Sequence, residues 1–228
     1  MKHSGKARQA ALTLILWAFV ALVAVFVAGA IGILLGHVLR VVYMFFLALW
    51  SLFALFTFYF FRDPDPRVPA APGLVVSPAH GKVDIVDRIT EPLFIGGECQ
   101  RISIFLSVID IHVQNAPVSG KIIFTRYTMG QFLNAMRSES ASHNENLLLG
   151  IEASERAGLK IGVRLIAGLI ARRIVPFVTD GAEILRGERV SLIQFGSRVD
   201  LYLPLAAKIK VKPGDRAVGG ETIMATLD

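Results

Sequence analysis

No charged residue occurs between Ala10 and Gly36 or between Val41 and Phe61, and only the tetrapeptide HVLR (37–40) separates the two apolar runs. A helix needs about 20 apolar residues to cross the hydrocarbon core of a bilayer, and each run is long enough. The first exceeds the apolar core of a cleavable leader, and a second run follows it at once. The pattern predicts two membrane-crossing helices, about 10–36 and 41–61, folded into a hairpin. One long kinked segment is the alternative. RDPDPRVPAAPG (62–73) comes next; its prolines cannot continue a helix, and it reads as a linker.

Beyond the linker the period shortens. LVVS (74–77), KVDIV (82–86), RISIFLSV (101–108), KIIFTRY (121–127), LLLGIE (147–152) and RVDLYL (198–203) are short strand-like runs broken by turn residues. In RISIFLSV, Ile102, Ile104, Leu106 and Val108 share one face, the clearest alternation in the chain. Many short strands with frequent turns predict a mainly β fold, a sandwich or barrel-like domain over residues 74–228. KIGVRLIAGLIARRIV (160–175) suits an amphipathic helix by its length, and two strands by its glycines and β-branched residues. In QFGSRVDLYLP (194–204), Val199 to Leu203 alternate like a half-buried strand, and the preceding Gly196-Ser197 reads locally as a bulge.

Charge adds an orientation. The formal net charge is +6, and residues 1–61 supply four of those charges through Lys2, Lys6, Arg8 and Arg40, with no acid. The remainder carries only two, which argues against a nucleic-acid partner. Basic residues precede the first run, and Arg62 and Arg67 follow the second. The positive-inside rule then predicts a cytoplasmic (inner) membrane protein with its N-terminus and β domain in the cytoplasm, and the Arg40 loop opposite. The single cysteine, Cys99, cannot form an internal disulfide and has no metal-ligand spacing around it.

Three patches carry candidate chemistry. SPAHGKV (77–83) holds His80 in a turn, IDIHVQNAPVSGKI (109–122) holds Asp110 and His112 two apart, and the third is Gly196-Ser197. On a strand, residues two apart point to the same face. Ser197 lacks the G-x-S-x-G setting of a hydrolase nucleophile. His80, His112 and His143 include no close ligand pair, so no metal is expected. VKPGDRAVGGETI (211–223) is similar to the hammerhead strands of biotinyl or lipoyl folds and membrane-fusion adaptors, without a carrier lysine or heptads.

Together, SPAHGKV, IDIHVQNAPVSGKI, IAGLIARRIV, RGERVSLIQFGSRVDLYLP and VKPGDRAVGGETI stand in the order and spacing of phosphatidylserine decarboxylases. Over about residues 60–228 the chain resembles that family, most of all its short, membrane-anchored bacterial form. The resemblance implies a proenzyme that cuts itself between Gly196 and Ser197, leaving a large β chain (1–196) and a small α chain (197–228). Ser197 would become a covalent pyruvoyl group, with no metal, that forms a Schiff base with the serine amine of phosphatidylserine. Loss of CO2 would yield phosphatidylethanolamine, with membrane lipid as the setting. His112 would be the base for self-cleavage. The Arg172-Arg173 pair reads either as a contact for anionic lipid or as a solvated basic turn.

The chain departs from the family at one motif position. The family's first motif reads Ser-Pro-x-Asp-Gly, whereas this chain has His80 where the aspartate orients the histidine. A neutral imidazole accepts a hydrogen bond but does not stabilise an imidazolium as a carboxylate does. Asp110 or Asp84 is a candidate stand-in. The alternatives are a processing-dead relative and a non-enzymatic, membrane-anchored β-sandwich adaptor.

Overall fold

The computed structural model describes residues 5–32, 36–130, 144–168, 173–194 and 197–227. They form two compact units, Gly5–Asp63 and Pro64–Asp228. The first holds helices α1 (Lys6–Gly32) and α2 (His37–Phe60). Their apolar spans of 26 and 23 residues are about 39 and 35 Å long at 1.5 Å per residue, enough to cross a bilayer. Phe19 meets Trp50 at 6.2 Å and Phe26 meets Tyr43 edge-on at 5.1 Å, so the helices pack antiparallel as a hairpin. Thr13, Ser51 and Thr57 turn their hydroxyls back onto carbonyls four residues earlier, which satisfies them without water. The helix ends differ from expectation. Residues 37–40 form the first turn of α2, so Arg40 is helical rather than in a loop. Hydropathy marks membrane depth, and a helix can continue past it with polar residues.

Among the described residues, the second unit is built from fourteen strands. These are β1 (Leu74–Val76), β2 (Gly81–Glu91), β3 (Gly97–Leu106), β4 (Val113–Asn115), β5 (Gly120–Thr128), β6 (Asn146–Ala153) and β7 (Lys160–Ala167). There follow β8 (Ile174–Pro176), β9 (Glu183–Ile184), β10 (Arg189–Ile193), β11 (Ser197–Leu203), β12 (Lys208–Ile209), β13 (Arg216–Ala217) and β14 (Ile223–Thr226). Eight of them make a curled half-barrel sheet in the order β13-β2-β3-β11-β7-β6-β5-β9. Two three-stranded sheets, β1-β14-β12 and β4-β10-β8, complete it. The expected mainly β architecture is what the chain adopts. The ambiguous segment 160–175 resolves into strands β7 and β8, with residues 169–172 outside the described set.

β11 is the middle of this fold, paired antiparallel with β3 on one side and β7 on the other. Val199, Leu201 and Leu203 pack with Ile102, Ile104, Val163 and Leu165 in the main core. The predicted half-burial is corrected here: every residue of β11 is buried. On its other face Tyr202 joins Phe94, Cys99 and Leu148 in a second apolar cluster. Asp200 on that face accepts a 2.5 Å hydrogen bond from Ser103 Oγ. Burial drives its carboxyl pKa up, against the pull of Arg101, Arg198 and Arg164. Val108 also leaves the predicted face, because β3 ends at Leu106 and the chain turns.

The proline-rich segment is strapped to the β unit rather than loose. Arg189, almost fully buried, reaches Asp65 at 2.8 Å, and Arg186 donates to the carbonyls of Pro69 and Leu74. The Arg67 amide donates to Glu221 at 2.9 Å.

Candidate functional site

Ser197 opens β11, opposite Leu106 of β3 and Ala167 of β7. It is fully buried, and its Oγ has no hydrogen-bond partner among the described residues. From Ser197 onward the register with both neighbours is regular, and the Gly196 half of the expected bulge lies outside the described residues. Gly196 lies outside the described residues, as do Arg172 and His143.

Past Leu106, β3 runs into a tight turn held by Asp110. Its Oδ2 accepts from both the amide and the hydroxyl of Ser107 at 2.8 Å, and Arg216 pairs with its Oδ1. The expectation that Asp110 and His112 share a strand face is therefore corrected. Asp110 belongs to the turn, and β4 begins only at Val113. The signal was misread because alternation persists across a turn whose polar residue bonds its own loop.

His112 is buried, and its Nδ1 lies 2.9 Å from the Asp110 carbonyl. A carbonyl only accepts, so Nδ1 carries a proton in this contact. The His112 carbonyl accepts from Ile193 N at 3.0 Å and Gln114 Nε2 at 2.6 Å. Gln114 Oε1 in turn accepts from Ser191 Oγ at 2.7 Å. Both attachments of His112 lead to Ser197: the Asp110 turn through Leu106, and β10 through Ile193. The sequence reading missed Ser107, Gln114, Ser191 and Arg216. Gln114 was findable, being a polar residue next to the histidine inside an apolar run.

His80 is half-buried in a turn tied to β4, where Asn115 N donates to the Pro78 carbonyl at 2.9 Å. Its ring lies against Gly219: a Cβ there would stand 2.9 Å from His80 Nε2 and 2.7 Å from Asn115 Oδ1. Asp84 pairs with Arg198, the residue after Ser197, and burial raises its carboxyl pKa despite that arginine. The two line a cavity of about 360 Å³ with Lys82, Val83, Phe105 and Gly214. Adjacent residues on a strand face opposite ways, so Arg198 and Ser197 address different sides of the sheet. Asp110 thus meets His112 through its main chain, and Asp84 serves Arg198. Arg173 is exposed, and its carbonyl accepts from Gln194 N at 3.2 Å. Among the described residues, no group of three His, Cys, Asp or Glu could hold a metal ion. A larger cleft of about 1080 Å³, lined in part by Lys121, Glu152 and Glu183, lies at the opposite end of the strands from Ser197.

The profile describing phosphatidylserine decarboxylase matches residues 53–225, which takes in the strap, the His112 turn and Ser197. The chain belongs to the phosphatidylserine decarboxylase family. A phosphatidylserine decarboxylase proenzyme from Desulfotalea psychrophila is 45% identical over 172 residues, covering 75% of this chain and 79% of the relative. The proenzyme from Symbiobacterium thermophilum is 42% identical over 174 residues, covering 76% and 80%. That from Citrifermentans bemidjiense is 42% identical over 194 residues, covering 85% and 87%. Family membership makes the chain an enzyme and sets aside the adaptor reading.

Proposed function

We propose that this chain is the proenzyme of a membrane-anchored, pyruvoyl-dependent phosphatidylserine decarboxylase that cuts itself between Gly196 and Ser197. The observation that carries the reading is the Ser197 hydroxyl, fully buried at the head of a central strand and without a partner among the described residues. Burying such a group costs about 1–3 kcal/mol. Ordinary packing would favour alanine there, and chemistry that consumes the hydroxyl accounts for serine. The site also fits a group made from the chain itself, because β3 and β7 hold position 197 on both sides.

In self-cleavage, His112 Nε2 takes the proton of Ser197 Oγ as the oxygen attacks the carbonyl carbon of Gly196. The C–N bond breaks, the proton passes to the Ser197 nitrogen, and the peptide becomes an ester. Removal of the Ser197 Cα proton then breaks the Cβ–Oγ bond and releases the Gly196 carboxylate. The dehydroalanine left at 197 takes up water and loses ammonia. The resulting pyruvoyl group supplies an electron sink for a carbon losing CO2, which no ordinary side chain provides. The Asp110 carbonyl holds the His112 tautomer, and His112, protonated in turn, hands a proton back to the substrate carbon. His80 takes the orienting position beside β4.

On this reading residues 1–61 are the anchor, 62–73 the linker and 74–228 the catalytic domain that turns phosphatidylserine into phosphatidylethanolamine. Both ends lie on the cytoplasmic side of the membrane, following the basic flanks of the hairpin. Intact-mass measurement of the full chain purified from membranes tests the cleavage. The expected result is two chains, 1–196 and a pyruvoyl-blocked 197–228, with Ser197→Ala giving one inactive chain. Wild-type protein recovered only as intact 1–228 from membranes that decarboxylate would sink the reading.

A further inference from the structure

The strand ends at Ser197 form a rim. Ser197 faces Leu106 and Ala167, Ile166 faces Asn146, and Asn146 faces Thr128, so β3, β11, β7, β6 and β5 all finish at one end. Four large apolar side chains stand in water there. Val108 and Ile109 follow β3, with Ile109 62% exposed, and Tyr127 and Met129 stand at the end of β5, with Met129 84% exposed. A soluble rim built this way exposes apolar surface around the one residue the chemistry consumes.

Cations stand at the same end. Lys82 and Arg216, paired on adjacent strands beside Phe105, are exposed at this end, as are Arg126 and Arg173. Among the described residues the carboxylates here are committed: Asp84 to Arg198, Asp110 to Arg216, Asp215 to the Lys212 amide and Glu145 to the Ile174 amide and Tyr127. At the far end acids and bases mix, with Glu98, Glu155 and Glu183 exposed alongside Lys121, Arg156 and Lys160. Apolar side chains interleaved with cations suit a bilayer with anionic headgroups, where tyrosine also prefers the interface.

We infer that the Ser197 end of the β domain docks on an anionic lipid surface, inserting Val108, Ile109, Tyr127 and Met129 and setting Lys82, Arg126 and Arg173 against the headgroups. Lipid is the occupant because two helices of membrane-crossing length precede the domain by only a short strap. The choice also rests on the decarboxylase reading: a headgroup cannot travel far from its acyl chains, so a buried Ser197 must be brought down to it.

The test uses the full chain in vesicles of phosphatidylcholine and phosphatidylglycerol, which are anionic but hold no substrate. Cys99 is fully buried and its thiol is pushed up to about 11 by burial, so it stays silent to labelling. Ile109→Cys, Met129→Cys and, at the far end, Leu185→Cys are labelled with an environment-sensitive fluorophore. Spin-labelled lipid should quench positions 109 and 129 and leave 185 untouched. Arg126→Glu with Arg173→Glu, or high salt, should weaken the quenching at both rim positions. Water-like emission without quenching at 109 and 129 overturns the docking. If that happens while phosphatidylserine is still decarboxylated in substrate vesicles, the docking falls alone. Quenching without decarboxylation leaves the docking standing and removes the enzymatic reading.

Discussion

The pair Gln114 and Ser191 offers a way to separate holding the fold from aiming His112. Both are fully buried, Ser191 Oγ donates to Gln114 Oε1, and Gln114 Nε2 donates to the His112 carbonyl. Ser191→Ala strands an amide oxygen, and Gln114→Leu strands a hydroxyl. Each single change should cost about 1–3 kcal/mol as a buried group left without a partner. For a domain this size that is a fall in Tm of about 5 °C. The double variant removes both ends and should recover most of the loss, a coupling of about 1–2 kcal/mol. Its self-cleavage should not recover, because the His112 carbonyl loses the Gln114 amide, and a base displaced by a fraction of an ångström loses on the order of tenfold or more. Heat-dependent alkylation of Cys99, buried until the domain opens, reports Tm. The appearance of the 197–228 fragment from freshly synthesised precursor reports the rate. Additive Tm losses in the double variant, or a rate that simply follows Tm across all three, would refute the reasoning.

Asp200→Asn should raise Tm near neutral pH. Folding raises this carboxyl's pKa, so its favourable contribution is complete below 3.8 and is lost as pH climbs through the folded value. The gain should therefore vanish toward pH 4; a gain that grows on acidification would reverse the assignment. Gly219→Ala places a methyl 2.9 Å from His80 Nε2 and should slow self-cleavage, while His80→Asp should speed it by restoring a carboxylate. Equal rates in all three proteins would remove His80 from the chemistry. Reporter fusions at the N-terminus and after Asp228 should both read cytoplasmic, and opposite locations would mean a single crossing.

Much of the architecture was legible from local pattern. Uncharged runs marked α1 and α2, and alternation in RISIFLSV marked β3 with Ile102, Ile104 and Leu106 on the core face. Alternation failed in β11, where Asp200 looked solvent-facing and is instead buried under a second apolar cluster that only tertiary folding assembles. It failed again at Asp110, where a polar residue two before His112 closes a turn with Ser107 rather than extending a strand. Of the site residues, His112 and Ser197 could be singled out by motif. The link from His112 through Gln114 to Ser191 spans sheet pairing between β4 and β10, which no local window contains.

The central place of β11 has a consequence for how the protein can be made. Its strand pairs with β3 and β7, and β14 further along pairs with β1, so residues 197–228 are woven into two sheets. While the chain is continuous, these pairings close at the high effective concentration of a tethered segment. After the cut at 196–197 the same pairings become a bimolecular encounter, dependent on how much of each fragment is present. The processed enzyme is then a product of assembly order: it folds as one polymer, is severed afterwards, and once melted should regain its structure only slowly and with a yield that falls on dilution.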